Sequence, residues 1–456
     1  MKLNTFNTGG IHPAENKLTA ASPIIYMELP RESVLSFAQH IGAPAACTVQ
    51  KGDKVHRGDL IAKASGFVSA NIHTPISGTV AKIDKGITAA GYRTDTVTIV
   101  ASDDEHNADM EAINAPVEIK RDAAALKALT PEQIISIVDE AGIVGLGGAT
   151  FPTKVKLSPP PGMTADILII NAVECEPFLT NDHALMLAAP AEIIAGVQLL
   201  MTAAKVEKAV IGIEANKPDA IELLSKIAAE TDNRISVMPL KVKYPQGGEK
   251  QLINAVTGRE VPSGALPIAA GAIVQNVATA YAVWRAAALG EPLIDRVVTV
   301  TGPELRQPGN YRVALGTPLR ALIEMAGGLP ENTGKIILGG PMMGKAIVKL
   351  DAPTMKGVSG LLILPVEEAK RPEVGPCIRC GECVTACPMG LEPYLIATLS
   401  RFSQWEDAET EKIMNCIECG SCSFACPASR PILDFIRLGK STVGAAIRAR
   451  AQQAKK

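Results

Sequence analysis

Residues 377–388 read Cys-Ile-Arg-Cys-Gly-Glu-Cys-Val-Thr-Ala-Cys-Pro, and residues 416–427 read Cys-Ile-Glu-Cys-Gly-Ser-Cys-Ser-Phe-Ala-Cys-Pro. Both runs have the spacing C-x₂-C-x₂-C-x₃-C-P. The first three thiolates of such a run bind one iron–sulfur cube, and where two runs occur together the fourth thiolate reaches the other cube. The sequence therefore predicts two [4Fe–4S] clusters in this part of the chain.

Each predicted cluster takes three ligands from one run and one from the other. The first cluster has Cys377, Cys380, Cys383 and Cys426, and the second has Cys416, Cys419, Cys422 and Cys387. A glycine follows the second cysteine of each run and leaves room for the cofactor beside the backbone. Structural zinc is the alternative, but zinc sites usually pair C-x₂-C knuckles. Two complete runs, each ending in proline, favour iron–sulfur clusters.

Composition limits the remaining possibilities. The chain has 456 residues, of which 47% are apolar, so several packed domains are expected. Lys and Arg number 45 against 47 Asp and Glu, a near-balance that gives no support for nucleic-acid binding driven by charge. Aromatic residues make up only 4%, which argues against base-stacking surfaces. We therefore expect no nucleic-acid partner.

The sequence also indicates a compartment. Its first ten residues have no apolar stretch of the kind found in signal peptides. No segment reaches the ~18–20 uninterrupted apolar residues that span a bilayer. We expect a soluble protein in the cytosol, where clustered cysteines are metal ligands more often than disulfides. Residues 437–456 carry six Lys and Arg and no acid, and a solvated helix end is the simplest interpretation of that stretch.

The pattern of apolar, turn and polar residues changes along the chain and divides it into several units. Short Val- and Ile-containing runs alternate with Gly turns between about residues 40 and 84, which predicts a small all-β unit, and the acidic stretch 102–111 is typical of a linker. From about residue 130, helices are predicted at 130–141, 189–204 and 219–231, and strands at 166–170, 209–213 and 235–237. This alternation implies a mostly parallel sheet covered by helices. A second β-rich unit begins at Val297 and has one helix near 319–326, and a polar linker at 367–376 leads to the cysteine runs.

Four segments of the α/β part carry Gly, amide or acidic groups. They are Gly142–Lys156, Asn171–Pro177, Tyr244–Glu249 and Val274–Val277. Glycines let backbone N–H groups approach a phosphate or a ring closely, and a following lysine neutralises phosphate charge. The second segment follows a predicted strand, at the edge where open α/β sheets bind ligands.

Together these segments resemble the NADH-binding flavoprotein subunit of respiratory complex I, whose pattern is G-x-G-G-A-G-F-P-T, then N-A-D-E-x-E-P, Y-x-x-G-E-E and N-N-V-E-T. The order of units along nearly the whole chain is closer still to the RnfC family, the electron-input subunits of Rnf complexes. The resemblance implies a multidomain α/β protein. Its units would be an N-terminal region 1–110 with a lipoyl-like β-sandwich, a Rossmann-like FMN/NAD(H) domain 120–290, a β-grasp-like (SLBB) module 295–365, a helical double [4Fe–4S] ferredoxin-type domain 370–437, and a basic tail 438–456.

The resemblance also implies binding residues for noncovalent FMN and for NAD(H) as substrate. The flavin contacts carried over are Gly145, Gly147, Gly148, Lys156, Asn171, Glu174, Gly247 and Asn276. The positions near the nicotinamide dinucleotide are Phe151, Glu176 and Glu249. The N-terminal sandwich resembles a lipoyl or biotinyl carrier, but its apparent hairpin tip at 66–71 has no acceptor lysine. A packing or docking role is therefore expected for that unit.

The function implied is electron transfer between NAD(H), FMN and two [4Fe–4S] clusters within a membrane-bound ferredoxin:NAD⁺ oxidoreductase that translocates Na⁺ or H⁺. The partners would be NADH or NAD⁺ and the other Rnf subunits, including an iron–sulfur subunit and membrane subunits. The chain would lie peripherally on the cytoplasmic face of the bacterial inner membrane. No Ser/His/Asp or Cys/His nucleophile constellation occurs in the sequence, so no catalytic acid or base is expected.

Four positions depart from the flavoprotein pattern and leave alternatives open. Thr150 replaces a loop Gly, Val173 replaces Asp, Gly248 replaces the first Glu of G-E-E, and Gln275 replaces the first Asn of N-N. These changes permit a ferredoxin-like adaptor that has lost nucleotide binding. A soluble cobalamin reductase of a bacterial microcompartment resembles the same family at similar length and is the other alternative.

Overall fold

The computed structural model describes residues 3–89 and 91–454. Within these residues the strands form four sheets, of six, four, four and three strands. Separate hydrophobic cores lie in the N-terminal β-unit, the parallel-sheet domain, the second β-rich unit and the cysteine-rich domain. This organisation confirms the predicted multidomain α/β fold class.

The N-terminal β-sandwich consists of two small antiparallel sheets. The strands of this region are β1 (Ile24–Tyr26), β2 (Glu32–Ser36), β3 (Ala46–Cys47), β4 (Lys54–Val55), β5 (Leu60–Lys63), β6 (Ile72–His73), β7 (Gly78–Ile87) and β8 (Arg93–Val100). All but β1 belong to the sandwich, with sheet orders β2-β8-β7-β4 and β3-β5-β6. The sandwich is larger than the unit predicted at about 40–84, because the outer halves of β7 and β8 are rich in charged residues and Thr instead of alternating Val and Ile.

The predicted linker at 102–111 is wrong, since helix α1 covers Asp103–Asn114. Ser102 accepts a hydrogen bond from the N–H of Glu105, and the Glu105 carboxylate accepts one from the N–H of Ser102. This capping box satisfies two amides that the helix would otherwise leave free. The acidic residues that suggested a linker lie in the first turn, where the helix dipole stabilises negative charge. A short helix, α2 (Ala123–Lys127), follows.

The central domain has an all-parallel sheet with strand order β11-β10-β9-β12. Its strands are β9 (Ile167–Asn171), β10 (Ala209–Glu214), β11 (Ile235–Leu240) and β12 (Ala272–Asn276). Its helices are α3 (Pro131–Glu140), α4 (Thr153–Lys156), α5 (Asn181–Ala188), α6 (Pro190–Ala204), α7 (Pro218–Thr231), α8 (Glu249–Thr257) and α9 (Val277–Trp284). A 3₁₀ turn at Pro267–Ala270 precedes β12, and a π-helical turn at Arg285–Leu289 extends α9. The helices and strands predicted between residues 130 and 237 are confirmed, and β9 and β10 are buried as expected for parallel strands between two helix layers.

Helices α6 and α9 approach each other closely enough to require glycine. A Cβ added at Gly196 would lie 1.9 Å from the carbonyl oxygen of Ala280. Ile193 and Val197, which flank the contact on α6, are fully buried. Because α9 begins directly after β12, this contact fixes the carboxyl end of β12, where the predicted flavin residue Asn276 lies.

The second β-rich unit is a mixed sheet with order β1-β14-β13-β17-β15-β16. Its further elements are β13 (Asp295–Thr301), β14 (Gly309–Ala314), α10 (Leu319–Met325), β15 (Thr333–Leu338), β16 (Lys345–Ala346), β17 (Gly360–Pro365) and α11 (Val366–Ala369). The predicted strand at Val297 and the predicted helix near 319–326 are confirmed. Strand β1 pairs in parallel with β14, so the N-terminal region 1–110 contributes to two units instead of one.

The cysteine-rich domain is helical. Its helices are α12 (Glu382–Thr385), α13 (Pro393–Arg401), α14 (Trp405–Thr410), α15 (Ser421–Phe424) and α16 (Ile432–Gln453), with a 3₁₀ turn at Ile413–Asn415. Helix α16 crosses the boundary predicted between residues 437 and 438, and Val443 beyond that boundary is buried in the domain core. The described part of the predicted basic tail therefore belongs to the last helix of this domain.

The β5–β6 hairpin of the sandwich packs against the central domain. The Asn71 side chain donates to the carbonyls of Asp139 and Glu140 at the end of α3. Lys356, which is fully buried, donates to the carbonyls of Asn71 and Gly142. Burial lowers the pKa of Lys356 to about 7. Lys356 thus joins the second β-rich unit to the sandwich and to the central domain, at the first residue of the Gly-rich segment. This contact agrees with a packing role for the sandwich.

No single helix within residues 3–89 and 91–454 combines the length and the apolar character needed to cross a membrane. Helices α5 and α6 together pass by length and composition alone, as a pair bent by 98°. In the structure Ile193, Ile194 and Leu200 of this pair lie in the core of the central domain.

Gly196→Ala is expected to destabilise the central domain by about 3 kcal/mol, toward the upper end for overpacked cores. The added Cβ has no space beside Ala280 and must push α6 away from α9. Gly66→Ala is the matched control, since nothing lies within 4 Å of a Cβ added there. Calorimetry should show a lower melting temperature for the first variant only, and equal melting temperatures would contradict the close contact.

Candidate functional site

The two cysteine runs adopt the same backbone conformation. The residue before the second cysteine is left-handed in both runs, with φ of 55° at Arg379 and 57° at Glu418. The residue after that cysteine has φ of 80° at Gly381 and 81° at Gly420. Glycine adopts this conformation without steric cost, so the turn itself requires it. Each glycine precedes a short helix, α12 or α15, that carries the third cysteine of its run.

Four thiols line one apolar pocket. They belong to Cys387 of the first run and to Cys416, Cys419 and Cys422 of the second. Burial, followed by the charges of the other three cysteines, raises the pKa of Cys422 to about 12. The remaining lining is apolar and includes Leu391 and Ile436. Three thiols from one run and the fourth from the other form the set that we assign to the second cluster.

The other four cysteines lie nearer the surface. Cys377 and Cys380 are exposed, Cys426 is half-buried and Cys383 is buried. Burial raises the pKa of Cys383, and the thiols that add to this shift are Cys426 and Cys380. Cys426 of the second run thus lies with the first-run thiols, as the predicted ligand set for the first cluster requires. Among the described residues, no three His, Cys, Asp or Glu side chains converge on a position for a single metal ion.

The four segments predicted to bind flavin meet at the carboxyl edge of the parallel sheet. Asn171, the last residue of β9, donates to the Gly247 carbonyl at 2.8 Å. Asn276, the last residue of β12, pairs in register with Asn171. A Cβ added at Gly147 would lie 3.5 Å from the Asn276 side chain. These four residues thus lie close together at one edge of the sheet, and we call this site the flavin cleft.

The Gly-rich loop presents bare backbone to solvent. The N–H of Gly145 donates to the carbonyl of Phe151, and the N–H of Thr150 donates to the carbonyl of Gly145. Gly147 and Gly148 are exposed, and nothing lies within 4 Å of a Cβ added at Gly148. Hydrogen bonds between its two ends therefore close the loop, and its glycine side faces solvent. Phe151, at the end of the loop, is half-buried.

Lys156 and Glu249 form an ion pair beside this cleft. The Lys156 Nζ lies 2.5 Å from Glu249 Oε1 and 3.0 Å from the carbonyl oxygen of Val274. Both side chains are partly exposed. Lys156 was predicted to contact the flavin and Glu249 the dinucleotide, so the two predicted sites adjoin.

Glu174 and Glu176 have protein partners instead. The Glu174 carboxylate accepts hydrogen bonds from the N–H groups of Asp182 and His183 at the start of α5. The Glu176 carboxylate accepts them from Met342 and Met343, in the loop after β15. Burial raises the pKa of Glu176. Both carboxylates thus join separate loops of the chain, and the ligand contacts implied by the resemblance stay a prediction.

Gln275 is an unsatisfied polar residue at the same sheet edge. It is 1% exposed, and neither polar atom of its side chain has a hydrogen-bond partner. An orphaned buried amide is costly unless a ligand or water completes it. Gln275 stands at one of the four departures from the flavoprotein pattern, and it retains an amide there. The convergent residues and this amide fit FMN.

Lys17 is a residue of the site that the sequence analysis missed. Its Nζ donates to the carbonyls of Glu174, Glu176 and Leu179 at 2.8, 2.9 and 2.7 Å. Burial lowers the pKa of Lys17. These three bonds fix the loop between β9 and α5. Lys17 lies 157 positions before Glu174, and no spacing in the sequence connects them.

Tyr244 joins the flavin cleft to the second group of thiols. Its ring is 2% exposed, and its hydroxyl donates to the Cys419 carbonyl at 2.8 Å. Nearby, Gln251 of α8 donates to the carbonyl of Pro388. In the sequence Tyr244 stands out only as the first residue of its motif, which gives no sign of this contact. The Tyr244–Glu249 segment therefore packs directly against the second cysteine run.

The fold and the site define an iron–sulfur flavoprotein. Sequence models of four domains match the chain in the predicted order. They are the RnfC barrel sandwich hybrid domain at residues 5–105, the Nuo51 FMN-binding domain at 138–285, the SLBB domain at 297–346 and the 4Fe-4S dicluster domain at 376–430. The cofactors of the chain are FMN and two [4Fe–4S] clusters.

Curated relatives cover nearly the whole chain. The chain is 46% identical to a subunit of the proton-translocating ferredoxin:NAD(+) oxidoreductase complex of Clostridium ljungdahlii, over 95% of this chain and 93% of that protein. It is 43% identical to the corresponding subunit of the Na(+)-translocating complex of Acetobacterium woodii, over 97% and 98%. It is 42% identical to a subunit of the ion-translocating oxidoreductase complex of Rhodobacter capsulatus, over 85% and 73%. The chain belongs to the RnfC family, as predicted.

Cys387→Ser is expected to remove the second cluster and leave the first, because Cys387 lies with the thiols of the second run. Iron content should fall by about half, since each cluster holds four irons. Adding Cys416→Ser to Cys387→Ser should remove no further iron, because both cysteines bind the second cluster. Adding Cys380→Ser to Cys387→Ser should remove nearly all the iron, because both clusters are then lost. Anaerobic iron analysis with electron paramagnetic resonance measures this. The reverse result in the two double variants would show that each run binds its own cluster.

Lys156→Met is expected to weaken FMN binding by about 10- to 100-fold, the range for one charge-assisted hydrogen bond. Lys154→Met is the matched control, since Lys154 lies on the same short helix and pairs with Asp139 at 2.6 Å. Quenching of flavin fluorescence on titration gives both dissociation constants. Equal FMN affinity in the two variants would remove Lys156 from the flavin site.

Proposed function

We propose that this chain is the subunit through which NAD(H) exchanges electrons with the iron–sulfur carriers of a membrane-bound ferredoxin:NAD⁺ oxidoreductase that translocates Na⁺ or H⁺. The observation that carries the proposal is the contact between Tyr244, beside the flavin cleft, and Cys419, in the second group of thiols. The names of the relatives describe this reaction for their own complexes.

Bound flavin exchanges electron pairs with nicotinamide and single electrons with iron–sulfur clusters. The residues of the chain bind and orient the cofactors. Gly147 and Gly247 bring bare backbone to the cleft, Asn171 and Asn276 contribute amides, and Lys156 contributes a cation for the flavin phosphate. The protein needs no acid–base triad for this task, because its contribution is distance, orientation and environment.

The environments of the two thiol groups support an order for the clusters. The second group lies in an apolar pocket against Tyr244. In the first group, Cys377 and Cys380 are exposed. We infer that the second cluster is the inner carrier, next to the flavin, and that the first is the outer carrier, which meets the iron–sulfur subunit of the complex.

The dinucleotide would bind on the open side of the Gly-rich loop. Gly147 and Gly148 are exposed there, and the partly exposed Glu249 carboxylate adjoins the flavin cleft. On flavin binding its partner Lys156 would exchange this carboxylate for the flavin phosphate, which would release Glu249 for a ribose hydroxyl. Glu176, which is bound to Met342 and Met343, takes no part in this proposed site.

The place of the chain in the complex follows from its partners. The relatives are subunits of ion-translocating complexes, so we propose a peripheral position at the membrane. NAD(H) is a cytosolic reactant, and the flavin cleft must be open to it. We therefore propose that the chain lies on the cytoplasmic face.

The adaptor alternative requires that the flavin cleft has decayed. The four departures do not disrupt it, because Asn171, Gly247, Gly147 and Asn276 still converge. The unpartnered amide of Gln275 also points to a retained ligand. These contacts favour the electron-transfer proposal over the adaptor.

NADH is expected to bleach the flavin of anaerobic wild-type protein and of the variants Cys387→Ser and Cys380→Ser, because flavin reduction needs neither cluster. Reduced ferredoxin is expected to bleach it only in the wild type. In Cys387→Ser, ferredoxin should still reduce the first cluster. In Cys380→Ser, ferredoxin should reduce neither the second cluster nor the flavin. Stopped-flow absorbance and rapid-freeze electron paramagnetic resonance provide the readouts.

Two results would contradict the proposal. If NADH left the wild-type flavin oxidised, the NAD(H)-dependent function would be lost. If ferredoxin reduced the second cluster in Cys380→Ser but failed to reduce the first cluster in Cys387→Ser, the order of the clusters would be reversed.

A further inference from the structure

A polar cavity lies between the central domain and the β-grasp sheet. Its volume is about 220 Å³, and its walls come from α5, α9, β1, β13 and β14. It shares Leu146 with the Gly-rich loop, but none of the residues predicted to contact FMN or NAD(H) lines it. A water molecule occupies about 30 Å³ in the liquid, so the cavity holds several waters or a small solute.

Arg296, on β13, lines this cavity and has an unpaired guanidinium edge. The side chain is buried, with 3% of the residue exposed. Its Nη1 donates to the carbonyl oxygen of Leu146 at 3.1 Å. Its Nε and Nη2 have no hydrogen-bond partner. These two nitrogens form one side of the planar fork, so a complete two-donor edge is left unsatisfied.

The other two cations of the cavity wall, Arg285 and Arg312, are already paired with carboxylates. Arg285 donates to Glu291 and Asp295, and Arg312 donates to the second oxygen of Asp295. Two arginines thus balance two carboxylates.

Two further carboxylates line the wall. Asp182 accepts hydrogen bonds on both oxygens, from the side-chain amides of Asn181 and Asn276, and neither oxygen reaches the free edge of Arg296. Glu192 lines the same cavity and is half-exposed. Arg296 is therefore the one cation of the cavity wall for which the described residues provide no carboxylate in hydrogen-bond contact.

We propose that this cavity binds a small oxyanion, a carboxylate or a phosphate group, on the Nε–Nη2 edge of Arg296. Two parallel N–H donors match the two oxygens of such a group, and this bidentate geometry is the one in which arginine recognises carboxylate and phosphate. Leaving the edge empty would cost the desolvation of a buried charged donor. The ligand would be distinct from FMN, since none of the residues predicted to contact FMN lines this cavity.

Occupancy of the cavity would be coupled to the flavin cleft through Leu146. The carbonyl of Leu146 accepts from Arg296, and its N–H donates to Thr279 at 3.0 Å. Asp182, on the cavity wall, also binds the flavin residue Asn276. An anion that fixes Arg296 therefore fixes the Gly-rich loop. By linkage, the anion should tighten FMN binding by the same factor by which FMN tightens anion binding.

The test is calorimetric titration of inorganic phosphate into the full chain loaded with FMN and both clusters. Wild-type protein is expected to bind one phosphate per chain saturably. Arg296→Lys should weaken this binding at least tenfold, because an ammonium offers a point charge without a two-donor edge. Arg320→Lys is the matched control on the same module, where the arginine is exposed and pairs with Asp351. Its phosphate affinity should equal that of wild type.

A second variant protects the test against misfolding of Arg296→Lys. Ala282→Leu fills part of the cavity from α9 and leaves the guanidinium intact, and it should also weaken phosphate binding. Absence of saturable binding to the wild type would mean that ordered water completes the edge, and the proposal would fail. Binding to FMN-free protein that disappears on FMN loading would assign the edge to the flavin's own phosphate and would likewise overturn a separate site.

Discussion

The hydrogen bond from the Tyr244 hydroxyl to the Cys419 carbonyl joins the two parts of the chain whose cofactors must exchange electrons. Its partners lie 175 positions apart, so no local chain connection holds the contact, and packing alone maintains it. Tyr244 lies in a small apolar cluster with Ile11, Ala386 and Cys419. Because water is excluded there, the hydrogen bond is stronger than it would be at the surface. The distance and orientation between the flavin cleft and the second group of thiols therefore depend on an interface that excludes water.

Units that hold no cofactor brace this interface. Glu176, from the loop after β9, accepts hydrogen bonds from Met342 and Met343 of the β-grasp module. The carbonyl of Met342 would lie 2.9 Å from a Cβ added at Gly420, so the same loop presses on the second cysteine run. On the other side, the N-terminal segment donates from Gly10 to the carbonyl of Ala386. The loop after β15 thus contacts both the loop after β9 and the second cysteine run. The β-grasp module therefore supports the interface between the flavin cleft and the second group of thiols.

Regular segments were predictable from the sequence, and contacts between distant loops were not. Helix α6 and strands β9 and β10 each carry their own apolar pattern, which stops at the polar residues Lys205, Asn171 and Glu214. The capping box at Ser102 was also present, but the acidic composition after it was interpreted as a linker. Lys17 and Glu176 differ from these cases, because their partners are backbone groups of loops that only tertiary packing brings near. Resemblance to a family identified the cofactors and implied a ligand contact for Glu176, but it gave no sign that this carboxylate also accepts hydrogen bonds from Met342 and Met343.

The two cysteine runs show how tertiary context separates identical local structures. Their spacing is the same, and their left-handed turns agree within two degrees. A Cβ at Gly381 would meet open space, whereas Gly420 packs under Met342. Hydrogen bonds to sulfur and solvent exposure both tune the potential of an iron–sulfur cluster, so equal motifs in unequal surroundings need not have equal potentials. The duplicated motif supplies two equivalent ligand sets, and the central domain covers only one of them. In the order that we propose, that unequal cover, which neither run encodes, is what distinguishes the inner carrier from the outer one.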